Sequence, residues 1–214
     1  VLDPLGSTSW HHRHLGPFQT LNELLVAEAV ERPTVLIVGP GGVSRLASPF
    51  LNDAADADAP KIRRLLGDAA RYSDHLLRRI PRMPLASLEP LELTRSLTMP
   101  HDLFVVDRSQ RVLAAIARDL PGTVCHCVDI SFQPLPVTTD VVVAFNVVCR
   151  LEEQAATGMA AVAAAVQPGG WLLMDDRSAE AHLSNHPGFV RVAPKTFRRA
   201  AEAGIAGLVD DGPR

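Results

Sequence analysis

The chain has 214 residues, of which 47% are hydrophobic and 21% charged, and its formal net charge is −3. That length suits one domain around a single core, spanning 1–214, and the composition excludes wholesale disorder. A mildly acidic chain has no general electrostatic basis for holding nucleic acid, and no apolar run approaches the roughly 20 residues that cross a bilayer, so neither nucleic acid nor membrane is an expected partner. The start of the chain lacks the charged and apolar regions of a signal peptide, which gives the expectation of a soluble, cytoplasmic protein. Cys125, Cys127 and Cys149 are an odd number, and the first two alternate within one predicted strand, so reduced, buried thiols are expected rather than a disulfide framework.

Val1 to Gly16 is polar and turn-rich, with Trp10-His11-His12-Arg13-His14 at its centre. Clustered histidines can bind metal or supply a base, but no Cys or carboxylate stands at ligand spacing, so a solvated or lid-like segment is expected and no metal. Thr20 and Glu23 have capping-box spacing, and Phe18, Leu21, Leu24, Leu25 and Ala29 recur at helical intervals up to Pro33, which predicts a helix of roughly ten residues. Residues 1–33 thus read as a helical cap before the first strand.

That strand is Val35 to Val38, a run too short for a helix and rich in β-branched residues, as in a parallel strand buried on both faces. It stops at Gly39-Pro40-Gly41-Gly42. Glycine there permits positive φ and close approach of a ligand to the main chain, although such turns also close hairpins and cap helices. Ser44 to Leu51 is expected to start a helix facing the ligand, and Asn52 to Pro60 to form a loop. Between Ile62 and Ile80 an apolar stripe opposes a basic face, an amphipathic helix that is either a solvated surface or a lid attracting an anionic ligand. A short helix is expected near Leu91 to Leu97.

From Asp102 onward the pattern is regular. Predicted strands Leu103–Val106, Thr123–Val128, Val141–Phe145 and Trp171–Met174 alternate with helices over 112–120 and Glu152–Val166, and Pro168-Gly169-Gly170 reads as a sharp turn. This alternation implies an α/β fold: a doubly wound, mostly parallel sheet with helices on both faces. Ligands of such sheets sit at the carboxyl ends of the strands, where Gly39 to Gly42, Asp107, Asp129 and Asn146 converge.

The order of these segments resembles the class I S-adenosylmethionine-dependent methyltransferases from Val35 to Asp176. VLIVGPGG is similar to the family's glycine-rich first motif, and LFVVDRSQRVL to the second. VDISFQPLPVTTDVVVAFNVV resembles the third and fourth, and VQPGGWLLMDD the strand beyond. The resemblance implies a Rossmann-like fold with a helical insertion over 43–101, S-adenosylmethionine as cofactor and methyl transfer to a small-molecule acceptor. It places the cofactor against Gly39, Pro40, Gly41, Gly42, Asp107 and Arg108, with Asp129 on the adenine amine, Ile130 on the ring and Asn146 facing the methyl group or the acceptor. It also implies a closing antiparallel pair, from Gly188–Ala193 and Lys195–Ala200.

Departures are equally plain. Ile37 stands where the family often has an acidic residue, and Phe145 where a metal-dependent catechol type needs Asp, so magnesium is not expected even though Asp175 and Asp176 suit the other end of such a site. Candidate bases are His11, His12, His14 and His75. A nicotinamide-binding oxidoreductase and a non-methylating protein of the same fold stay open as alternatives. The expected partners are a small molecule and, at most, a second copy of the chain.

Overall fold

Short β-branched runs flanked by glycine or aspartate supply the strands, and their alternation with apolar-striped helices sets the layers. The computed structural model describes residues 14–44, 80, 85–86, 88–183, 186 and 188–201. The loop expected over 52–60, the amphipathic helix over 62–80 apart from Ile80, residues 45–51, His11, His12, His75 and the tail from 202 lie outside them.

In chain order the strands are β1 (Thr34–Val38), β2 (Val43–Ser44), β3 (Leu85–Ala86), β4 (Asp102–Asp107), β5 (Val124–Cys127), β6 (Thr139–Ala144), β7 (Val166–Met174), β8 (Phe189–Ala193) and β9 (Thr196–Arg199). The helices are α1 (Leu15–Ala27), α2 (Glu89–Ser96), α3 (Gln110–Asp119), α4 (Ala155–Ala165) and α5 (Asp176–His182). Seven strands form one sheet in the order β5-β4-β1-β6-β7-β9-β8, while β2 and β3 make a separate two-stranded ladder. β1, β4, β5, β6 and β7 are parallel, and β9 runs antiparallel to both β7 and β8. This is the doubly wound sheet and closing antiparallel pair that the sequence led us to expect.

Side chains alternate between the two faces with a period of two, so each central strand feeds two cores. Val35, Ile37, Val105 and Val143 pack with Phe18, Leu21 and Leu25 of α1 and Val112 and Ile116 of α3. Leu36, Val38, Val106 and Val142 pack with Met159 and Val162 of α4 on the other face. All of these are at most 1% exposed. At about 1.5–3 kcal/mol for each fully buried large aliphatic side chain, the two layers fix the strand order and hence which strand ends meet.

Several expected elements are differently built. α1 starts at Leu15 with His14 as N-cap and no side-chain capping bond, so Thr20 and Glu23 lie inside the helix rather than opening it. Pro17 is tolerated because the first turn has no N–H to give up. After Gly42 the chain is extended over Val43–Ser44, paired with Leu85–Ala86, where a helix was expected from Ser44. Two 3-10 turns, Val148–Arg150 and Glu152–Gln154, precede α4, so the α-helix begins at Ala155 and not Glu152. Pro168-Gly169-Gly170 is no turn between elements: it lies within β7, with Gly169 at φ +76 and a register irregularity opposite Thr139 and Val141. A Cβ on Gly170 would stand 2.7 Å from the Asp140 carbonyl, so this glycine is there for close approach of two strands. The three cysteines are free, but only Cys125 is half-buried, its thiol pushed up by burial; Cys127 and Cys149 are exposed.

Candidate functional site

The carboxyl ends of β5, β4, β1 and β6 meet at an open cleft lined by Val38, Gly39, Val106, Asp107, Arg108, Val128, Asp129, Ile130, Asn146, Val147, Arg150 and Leu151. Gly39 (φ +59) and Gly41 (φ +66) turn the chain away from β1 through a conformation that suits glycine. The turn is bonded to its neighbouring strand: the Gly39 N–H donates to the Val106 carbonyl at 2.7 Å, and the Gly41 N–H to Asp107 Oδ2 at 3.3 Å. The space left by the missing Cβ of Gly39 is used by Val147, whose Cγ2 would be 2.7 Å from it.

Asp107 is 4% exposed. Its Oδ1 accepts from the Ser109 N–H at 2.8 Å, and Ser109 in turn caps α3, its Oγ accepting from the Val112 N–H at 3.3 Å. The carboxylate therefore holds both the glycine turn and the start of α3, and it borders the cleft floor. Across the cleft, Asp129 folds its own turn: Oδ1 accepts from the Ser131 N–H at 3.0 Å, and its carbonyl from Phe132 and Gln133. Asp129 Oδ2 has no partner among the described residues. Ile130 beside it is 5% exposed and presents an apolar wall. Asn146 enters from the far side with φ +55.

Of the residues expected to hold a ligand, Gly39, Asp107, Arg108, Asp129, Ile130 and Asn146 thus line one cleft. Pro40, Gly41 and Gly42 are buried behind its wall. A Cβ on Gly42 would meet Leu85 and Val112 at 3.2 Å each, so its smallness serves packing against β3 and α3. The sequence reading missed the apolar lining, Val38, Val106, Val128, Val147 and Leu151, and the exposed Arg150. Their only signal was position, at strand ends or just beyond them.

His14 stands elsewhere. It is 1% exposed, stacked on Phe145 with ring centroids 3.8 Å apart, and its Nε2 lies 3.7 Å from Glu89 Oε2 at the start of α2. It does not line the cleft. Asp176 is paired with Arg191, and Asp175 caps α5 by accepting from the Ser178 N–H at 2.9 Å. No helix among the described residues is long and apolar enough to cross a membrane.

No protein-family model matches the chain, and no curated sequence matches it. Similar solved structures include the N-methyltransferase NodS from Bradyrhizobium japonicum WM9 in complex with S-adenosyl-L-homocysteine, at 14% identity and TM-score 0.47 over 86% of this chain and 88% of that one. CalS10, an amino pentose methyltransferase from Micromonospora echinaspora, is 19% identical with a TM-score of 0.41 over 78% of this chain, which spans about half (51%) of that protein. A putative S-adenosyl-L-methionine-dependent methyltransferase from Methanococcus maripaludis is 10% identical with a TM-score of 0.45, over 88% of this chain and 87% of that one. Five parallel strands followed by a closing pair with β9 reversed, in the order found here, give the chain the Rossmann-like fold of the class I S-adenosylmethionine-dependent methyltransferases.

Proposed function

We propose that the chain transfers a methyl group from S-adenosylmethionine to a small-molecule acceptor. The observation that carries this reading is the inward commitment of the glycine turn. A dinucleotide-binding turn offers its N–H groups to a pyrophosphate. Here the Gly39 and Gly41 N–H groups are bonded to Val106 and Asp107, and Pro40 has none, so this part of the turn offers a phosphate no N–H donor. What the cleft does offer is a carboxylate floor at Asp107, a second carboxylate at Asp129, and an apolar slot between Ile130 and Val147. That set suits an uncharged adenosine: both ribose hydroxyls donating to Asp107, the exocyclic amine to Asp129 Oδ2, and the ring on Ile130.

When bound, the cofactor would supply a sulfonium methyl group, open to in-line attack at its carbon by an acceptor lone pair as the carbon–sulfur bond breaks and the neutral thioether, S-adenosylhomocysteine, leaves. The chain's own work is alignment and exclusion of water: Val38, Val106, Val128 and Leu151 dry the slot, Gly39 and Val147 form its wall, and Asn146 borders the side from which the acceptor approaches. A proton acceptor is needed only where the acceptor atom must lose a proton.

Calorimetry with S-adenosylhomocysteine and NAD in parallel tests the reading. Saturable binding of the first and none of the second is expected, with affinity for the first lost in Asp107→Ala. Tighter binding of NAD would overturn it and favour the oxidoreductase alternative.

A further inference from the structure

Asn146 leaves β6 in the left-handed region, at φ +55, a conformation that asparagine tolerates but that a surrounding structure has to hold. Its N–H donates to Asp175 Oδ2 at 3.1 Å. Asp175 follows the end of β7, the strand next to β6, and the same carboxylate is occupied on its other side: the Ser178 N–H donates to Oδ1 at 2.9 Å, and Ser178 Oγ lies 2.9 Å from both oxygens. One side chain therefore performs two separable tasks, capping α5 and gripping the main chain of a residue in the cleft wall. The cap needs only Ser178. The grip on Asn146 has no part in it.

The next residue completes the brace. Val147 occupies the space that a Cβ on Gly39 would take, so the Asn146–Val147 wall is fixed by Asp175 on one side and by a side-chain-free position of β1's turn on the other. We infer that Asp175 is a positioning residue: it holds Asn146 in the left-handed conformation that sets the wall of the cleft, and through it the affinity for the cofactor. The choice of ligand in this inference rests on the proposed function. The grip itself rests only on the geometry of Asp175 and Asn146.

Asp175→Asn separates the two tasks. Asparagine is as good an N-cap as aspartate, so α5 keeps its cap, but one of the two accepting oxygens becomes a donor. Binding of S-adenosylhomocysteine is expected to weaken about tenfold, the scale of a lost hydrogen bond to a charged group. Ser178→Ala, which removes the hydroxyl from beside the carboxylate but leaves the capping Ser178 N–H on Oδ1 and the Asn146 N–H on Oδ2, should bind within about twofold of wild type. In an Asn146→Gly background, where glycine takes positive φ unaided, adding Asp175→Asn should cause no further loss, the non-additivity of two residues acting through one contact. Wild-type affinity in Asp175→Asn, an equal loss in Ser178→Ala, or a full additional loss in the double variant would each overturn the inference. Hydrogen exchange at the Asn146 amide in the ligand-free protein reads the grip directly: protection in wild type and Ser178→Ala, loss of it in Asp175→Asn. Should the wild type bind no S-adenosylhomocysteine, the proposed function fails while this measurement still decides the grip, since equal protection in wild type and Asp175→Asn would sink it.

Discussion

At the amino rim of the sheet, Asp140 and Asp102 are tied into the protein, whereas at the carboxyl rim Asp107 and Asp129 border a cleft. Asp140 Oδ2 accepts from the Thr34 N–H at 2.7 Å and from Thr34 Oγ1 at 2.6 Å, and Gln167 donates to its Oδ1. Asp102 takes both the Nε and Nη2 of Arg32, at 3.0 and 2.7 Å. Asp107 has the same taste for backbone N–H groups, yet its bonds from Gly41 and Ser109 shape the floor of an opening, and Asp129 leaves Oδ2 without a partner among the described residues. Both rims thus join neighbouring strands through carboxylates. The difference is that one rim closes on itself and the other lines a space a ligand can enter, with Asp129 Oδ2 without a partner among the described residues, which is where binding free energy is available.

The sharpest way to break this contrast is Gly41→Val. A β-branched residue is strained at φ +66, and the Gly41 N–H has to stay on Asp107, so the turn and the carboxylate are displaced together. Affinity for S-adenosylhomocysteine is expected to fall by on the order of a hundredfold or more, as several kilocalories of strain and misplacement require. Unchanged binding by calorimetry would mean that the turn has no part in the site. The counterpart at the other rim is Asp140→Ala, which leaves the Thr34 N–H and the Gln167 amide without their acceptor. It should cost about 1–3 kcal/mol of stability, read as a lower denaturant midpoint, and leave the affinity of the folded protein unaltered. A loss of affinity without a loss of stability would reverse the roles assigned to the two rims.

The sheet was readable because Val35–Val38, Leu103–Val106 and Val141–Phe145 are unbroken apolar runs buried on both faces, a pattern that few other arrangements produce. The polar site residues were readable for a related reason: each stands where such a run stops. Two glycine-rich stretches show where reading fails. Gly39 to Gly42 and Pro168 to Gly170 both look like turns, yet the second continues as strand where any Cβ on Gly170 would stand 2.7 Å from the Asp140 carbonyl, a tertiary constraint with no local signature. Val1 to Gly16 reads as polar and turn-rich, yet α1 already begins at Leu15 and takes Pro17 into its first turn, where proline gives up no hydrogen bond. Val147 and Leu151 are indistinguishable from core residues in sequence, and Asp175 from an ordinary N-cap, because what they do depends on the strand that folds beside them.

The smallest effect belongs to the exposed end of the amino rim. The hydrogen bonds from Arg32 hold the Asp102 carboxyl below the usual carboxylate range, against a smaller opposing effect of desolvation. A carboxylate whose folded pKa is depressed stabilises the fold above its unfolded value, about 3.9, and loses that contribution as pH falls through the folded value. The Arg32 and Asp102 side chains are 66% and 45% exposed, so salt and solvent screen the pair. The expected signature is a small gap in urea midpoint between wild type and Asp102→Asn at pH 7 that narrows in 1 M salt and shrinks as the pH falls below about 3.9, with S-adenosylhomocysteine affinity the same in both at pH 7. A gap that persists at low pH would show that the side chain contributes by its shape and not its charge, and a change in affinity would show that the amino rim communicates with the cleft.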